Sequence, residues 1–101
     1  MRMMLKVTPC GEAFNKATLD GTIVRKIGRI LEETKPEAAY FVEDGGNRTV
    51  FLFVDVPDSS GIPAFAEPWF LLFDAKCEFH IAMTPEDLRK ADIEGLGKKW
   101  G

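Results

Sequence analysis

The chain has 101 residues, 46% hydrophobic and 29% charged, enough for one hydrophobic core and too few for two. Sixteen acidic against thirteen basic residues leave a formal charge of −3, and apart from Lys98-Lys99 the basic side chains are scattered, which argues against a nucleic-acid partner. Lys6 interrupts the apolar run that a secretory signal needs, and no stretch approaches the roughly 18 apolar residues of a membrane span. A cytoplasmic protein without a membrane partner is therefore expected.

In Arg2 to Thr8, Met3, Leu5 and Val7 alternate with Arg2, Met4, Lys6 and Thr8. That period of two predicts a half-buried strand, stopped by Pro9-Cys10-Gly11. From about Glu12 to Lys35 the period changes, and Ile23, Ile27, Ile30, Leu31 and Thr34 share one helical face opposite Arg25, Lys26, Arg29, Glu32 and Glu33. Pro36 ends this helix, and Asp20-Gly21-Thr22 interrupts it, leaving the part before as a loop or a separate turn. Ala38 to Glu43 and Arg48 to Val56 read as two strands joined by Asp44-Gly45-Gly46-Asn47, whose glycines supply the positive φ of a tight hairpin.

Pro57-Asp58-Ser59-Ser60 offers a turn and an N-cap before a second helix carrying Ile62, Phe65, Ala66, Trp69, Phe70 and Phe73. Pro68 is expected to kink or split that helix. Ala75 to Met83 alternates again, with Cys77, Phe79, Ile81 and Met83 facing away from Lys76, Glu78, His80 and Ala82. Thr84-Pro85-Glu86-Asp87 then starts a terminal helix that Gly95 and Gly97 weaken by about 1 kcal/mol each. The order is β-α-β-β-α-β plus a C-terminal helix, an α+β class in a single domain spanning 1–101. The expected form is a ferredoxin-like βαββαβ unit, with a four-stranded antiparallel sheet and its helices on one face.

With helices on one face, only that face needs to be apolar. The third strand departs from this: Val50, Leu52, Val54 and Val56 suit the helix side, yet Thr49, Phe51 and Phe53 alternate with them. If the glycine hairpin sets the register, Tyr40 lies opposite Phe51 and Val42 opposite Thr49 on the outer face. Each large apolar side chain left in water forfeits roughly 1.5–3 kcal/mol, so the sequence predicts a homodimer in which a second sheet covers that face.

The element order, the two-faced strand Val50-Phe51-Leu52-Phe53-Val54 and the chain length resemble the dimeric α+β barrel superfamily, in which two ferredoxin-like sheets pack face to face. That family includes muconolactone isomerases and antibiotic-biosynthesis-type monooxygenases. Lys35-Pro36-Glu37-Ala38-Ala39-Tyr40-Phe41, Gly45-Gly46-Asn47-Arg48-Thr49 and Ile62-Pro63 with Ala66-Glu67-Pro68 also resemble a group of small uncharacterised bacterial proteins. The resemblance implies a fold and brings no catalytic signature.

His80 is the one side chain whose ordinary pKa lies near neutrality, and strand parity sets it on the outer face with Glu78 and Lys6. Two readings of this group stay open. In one, Lys6, Tyr40, Phe51, Phe53 and Glu78 line a cavity for a small apolar or aromatic molecule, with His80 as general acid or base. In the other, Lys6 and Glu78 form a cross-strand ion pair and His80 sits at a dimer rim. The leading functional expectation is ligand binding by a dimer, and the alternative is a cofactor-free isomerase or monooxygenase acting on a small organic substrate. Whether the chain is an enzyme stays open.

Other residues favour plain structural roles. Glu43 and Arg48 are expected to pair across the hairpin. Trp69, Phe70 and Phe73 at helical spacing suit a core better than a ligand pocket near Pro68. Cys10 and Cys77 would approach each other between antiparallel strands, yet nothing suggests a redox pair. Two cysteines and one histidine match no zinc spacing, so neither metal nor cofactor is expected.

Overall fold

In the computed structural model, which describes residues 1–101, four strands and five α-helices follow one another along the chain. They are β1 (Arg2–Thr8), α1 (Gly11–Leu19), α2 (Ile23–Thr34), β2 (Ala38–Asp44), β3 (Asn47–Asp55), α3 (Ile62–Phe73), β4 (Lys76–Ile81), α4 (Pro85–Lys90) and α5 (Ile93–Trp100). A 3-10 turn at Ser59–Gly61 precedes α3, with the Asp58 carboxylate accepting from the Ser60 N–H at 2.9 Å. No helix is long and apolar enough to cross a membrane.

The hairpin between β2 and β3 turns on Gly45 and Gly46, at φ of 60° and 81°, a conformation in which a Cβ is strained. This two-residue connection sets Tyr40 opposite Phe51, Val42 opposite Thr49 and Glu43 opposite Arg48. β1 then pairs with β3 on one side and β4 on the other, giving an antiparallel sheet in the order β2-β3-β1-β4. The class is α+β, with a four-stranded open sheet compatible with the ferredoxin-like unit expected from the sequence.

Side chains alternate across the sheet, and one set meets the helices. Met3, Leu5, Val7, Val50, Leu52 and Val54 are buried there against Ala17, Ile30, Trp69 and Phe73. Trp69 and Phe73 stack at 5.9 Å between ring centroids, and Phe14 meets Phe73 at 5.8 Å. Both α3 aromatics are therefore core, while Phe70 on the other side of the helix is 42% exposed.

Three helical expectations are corrected. The segment before Asp20 is a helix, α1, whose Ala17 and Phe14 reach the core. It ends because the Asp20 side chain accepts from the Thr22 N–H and hydroxyl, an arrangement that closes a turn instead of extending a helix. Pro68 does not split α3, which runs unbroken from Ile62 to Phe73. The missing proline N–H removes one helical bond, and burial of Ala66, Trp69 and Phe73 on either side holds the segment helical. Finally, the C-terminal helix is two helices, α4 and α5, divided at Asp92, which takes a left-handed φ of 51°.

Candidate functional site

The face turned away from the helices can be read row by row from the register. One row crosses the sheet as Ala38, Phe53, Met4 and His80, and the next as Tyr40, Phe51, Lys6 and Glu78. All six residues singled out in the sequence, Lys6, Tyr40, Phe51, Phe53, Glu78 and His80, therefore stand in two adjacent rows. Phe51 and Phe53 are half-buried beneath their neighbours, while Tyr40 is 60% exposed.

The charges are arranged differently from the simple cross-strand pair of the sequence reading. The Lys6 ammonium lies 2.8 Å from Asp44 on β2 and 3.9 Å from its direct neighbour Glu78. Reaching Asp44 takes the lysine stem across β3, a span of about two strand spacings or 10 Å. The bond to Asp44, then its charge, holds the Lys6 ammonium above its ordinary pKa. Beneath this crossing Thr49 is only 2% exposed although it belongs to the outer face, and its hydroxyl donates to the Asn47 carbonyl at 3.2 Å. At the other end of the face Arg2 makes a two-pronged contact with Glu37 at 2.7 and 3.1 Å.

His80 is exposed beside Met4, and no carboxylate lies within ion-pairing distance of its ring. Its ring is thus oriented by no acidic partner, unlike the histidine of a nucleophile-histidine-acid arrangement. The surface can enclose an apolar molecule against Met4, Phe51 and Phe53 and offer it an imidazole and a phenol. It becomes a cavity only when something closes over it.

Arg48 shows where pairing by proximity misleads. It stands opposite Glu43, but its guanidinium lies 4.4 Å over the Phe14 ring and donates to Asn15 at 2.7 Å, both on α1. Glu43 instead accepts from the Gly46 N–H at 2.9 Å, and the expected Glu43–Arg48 ion pair is absent. Strand parity accounts for this: both side chains point to the helix face, where α1 supplies a flat aromatic surface for the cation.

Both thiols are free. Burial, with a smaller contribution from Glu67, pushes the Cys77 thiol up to about 11. Against an ordinary value of 9.0, that leaves roughly a hundredfold fewer thiolates at neutral pH. Iodoacetamide should therefore label Cys77 far more slowly than a small-molecule thiol at pH 7, its rate still climbing above pH 10. Peptide mapping across a pH series checks this, and a Cys77 rate that levels off near pH 8 would contradict it. Glu67→Gln should move the profile only slightly, because burial is the larger cause.

Nowhere do three His, Cys, Asp or Glu side chains converge as a metal ligand set. Away from the outer face, a groove of about 520 Å³ lies between α2 and α3, lined by Arg29, Glu33, Pro63, Glu67 and Leu71. No protein-family model, curated protein or solved structure matches the chain.

Proposed function

We propose that the chain is one subunit of a homodimer whose two sheets pack through their outer faces, as in a dimeric α+β barrel, and hold a small apolar or aromatic molecule between them. The observation that carries this is the pair of rows Ala38–Phe53–Met4–His80 and Tyr40–Phe51–Lys6–Glu78, apolar across β2 and β3 and bordered by a few polar groups. An open sheet needs no phenylalanines on its solvent side, and covering the part of each that is still exposed returns a fraction of the roughly 1.5–3 kcal/mol of full burial. The polar border sets a ligand's orientation, with the Tyr40 hydroxyl and the His80 ring offering hydrogen bonds.

Titration with a naphthalene-type fluorophore tests the ligand half of this reading. The dimer should bind it with saturable, stoichiometric enhancement, and Phe51→Ala should weaken binding at least tenfold. Equal enhancement by both proteins would sink the proposed cavity. A second reading rests on the unpaired ring of His80: a cofactor-free isomerase that takes a proton from one carbon of a bound substrate and returns it to another. Under that reading His80→Ala keeps affinity for the bound molecule and abolishes its conversion.

A further inference from the structure

The segment after β4 stands apart from its own domain. The radius of gyration is 16.9 Å and the longest dimension 59 Å, whereas a folded chain of this length has a radius near 13 Å. Every residue of α4 and α5 is exposed or half-exposed. Yet the segment has the sequence of something made to pack. In α5, Ile93, Leu96 and Trp100 share one face with Gly97 and are 54%, 48% and 80% exposed, while Lys98 and Lys99 lie opposite.

Its local structure is specified in detail. Thr84 and Asp87 form a reciprocal capping box at the start of α4, with bonds of 2.9 and 3.1 Å. Asp92 caps α5 by accepting from the Gly95 N–H at 3.2 Å, and a Cβ on Gly95 would run into that carboxylate. The glycine that weakens helix propensity is thus what the cap requires. An eight-residue helix with two glycines does not persist in water by itself, so α5 needs a surface to lie on.

The place from which the segment leaves identifies that surface. The Ala82 N–H bonds the Arg2 carbonyl at 3.0 Å, and the Asp87 carboxylate is close enough for its charge to act on Arg2. Arg2 opens the outer face, so the arm is continuous with the surface proposed above as the dimer interface. A two-fold axis parallel to the strands would set β4 of each copy over β2 of the other, given the order β2-β3-β1-β4. β2 is also the outer-face strand most in need of cover: Tyr40 and Val42 are 60% and 41% exposed. The six residues of α4 and eight of α5 amount to about 21 Å of helix, close to the length of a seven-residue strand.

We infer that the arm from Pro85 to Trp100 is exchanged between subunits, its Ile93–Leu96–Trp100 face lying along β2 of the second copy. This inference rests on the outer-face dimer and adds a partner segment to it. Natural-abundance chain carrying a nitroxide at Glu94→Cys, with Cys10→Ser and Cys77→Ala, is mixed with ¹⁵N-labelled chain lacking the label. After subunit exchange, the β2 amides of the ¹⁵N chain should lose most of their intensity and regain it when ascorbate reduces the nitroxide. A dimer by mass whose β2 amides keep their intensity would overturn arm exchange and leave the outer-face dimer standing, whereas a monomer would overturn both. Leu96→Asp with Trp100→Ser should weaken the dimer at least tenfold without changing the unfolding midpoint of the separated chain, where the arm packs on nothing. Equal dimer affinity for this variant would also overturn the inference.

Discussion

Replacing Phe53 with arginine should separate the two subunits while each stays folded, raising the dimer dissociation constant at least a hundredfold. Phe53 lies between Ala38 and Met4 on the outer face, so its removal takes nothing from the core formed by Leu52, Val54 and Trp69. A two-fold interface contains each residue twice, so one substitution forfeits the remaining burial of two half-buried phenyl rings, each a fraction of the roughly 1.5–3 kcal/mol of full burial. It also buries two guanidinium groups without a carboxylate to pair with. A hundredfold corresponds to about 2.7 kcal/mol, which the several kcal/mol for burying unpaired guanidinium groups alone exceeds. Light scattering reports the change in mass, and an unchanged far-UV dichroism spectrum reports that the subunit has kept its fold.

Trp69→Ala should act in the opposite way, leaving the interface alone and removing much of the stability of each subunit. Trp69 is 1% exposed and stacks on Phe73 over the centre of the sheet. Deleting a buried indole costs about 3–5 kcal/mol through lost transfer energy and the cavity left behind, against a typical total of 5–15 kcal/mol for a small domain. The urea midpoint should fall steeply, with little change in the slope of the transition. Phe70→Ala, one residue along and 42% exposed, is the control and should cost less than 1 kcal/mol. Equal losses for the two variants would mean that α3 packs on the sheet by another face.

The contrast between Phe53 and Trp69 was legible in the sequence, because both depend on short-range pattern, whereas Phe70, grouped there with Trp69 and Phe73 as core, is exposed. Alternation in Met3-Leu5-Val7 and in Val50-Leu52-Val54 marks the helix side of the sheet. Gly45-Gly46 allows one tight turn and so sets the pairing of Tyr40 with Phe51, from which the outer rows follow. What depended on longer reach was not legible. Lys6 could be matched by parity to Glu78, but its closer partner Asp44 lies two strands away, within range only because a lysine stem can cross an intervening strand. Arg48 was assigned to its cross-hairpin neighbour, whereas α1 competes for it with an aromatic ring and an amide oxygen.

Local propensity also misjudged both ends of the helical layer. Asp20-Gly21-Thr22 looked like a boundary beyond which nothing helical was needed, yet Phe14 and Ala17 bring α1 into the core. Gly95 read as a defect in a terminal helix, and its lack of a Cβ instead admits the Asp92 cap. Pro68 read as a kink or a split, and tertiary burial kept the helix continuous. For α1 and Pro68 a contact made elsewhere in the chain outweighs a local preference of about 1–3 kcal/mol, while for Gly95 a cap three residues away does so. The separation of the arm from its own domain leaves no local trace either, since an amphipathic helix has the same pattern whether its partner surface belongs to its own chain or to another.

The central claim is that the outer face is an interface between copies of this chain. Sedimentation equilibrium of the unmodified chain beside Phe53→Arg, from micromolar to millimolar concentration, tests it most directly. The account predicts twice the chain mass for the first and one chain mass for the second. A monomer for the unmodified chain across that range, or a dimer that Phe53→Arg leaves untouched, would contradict it.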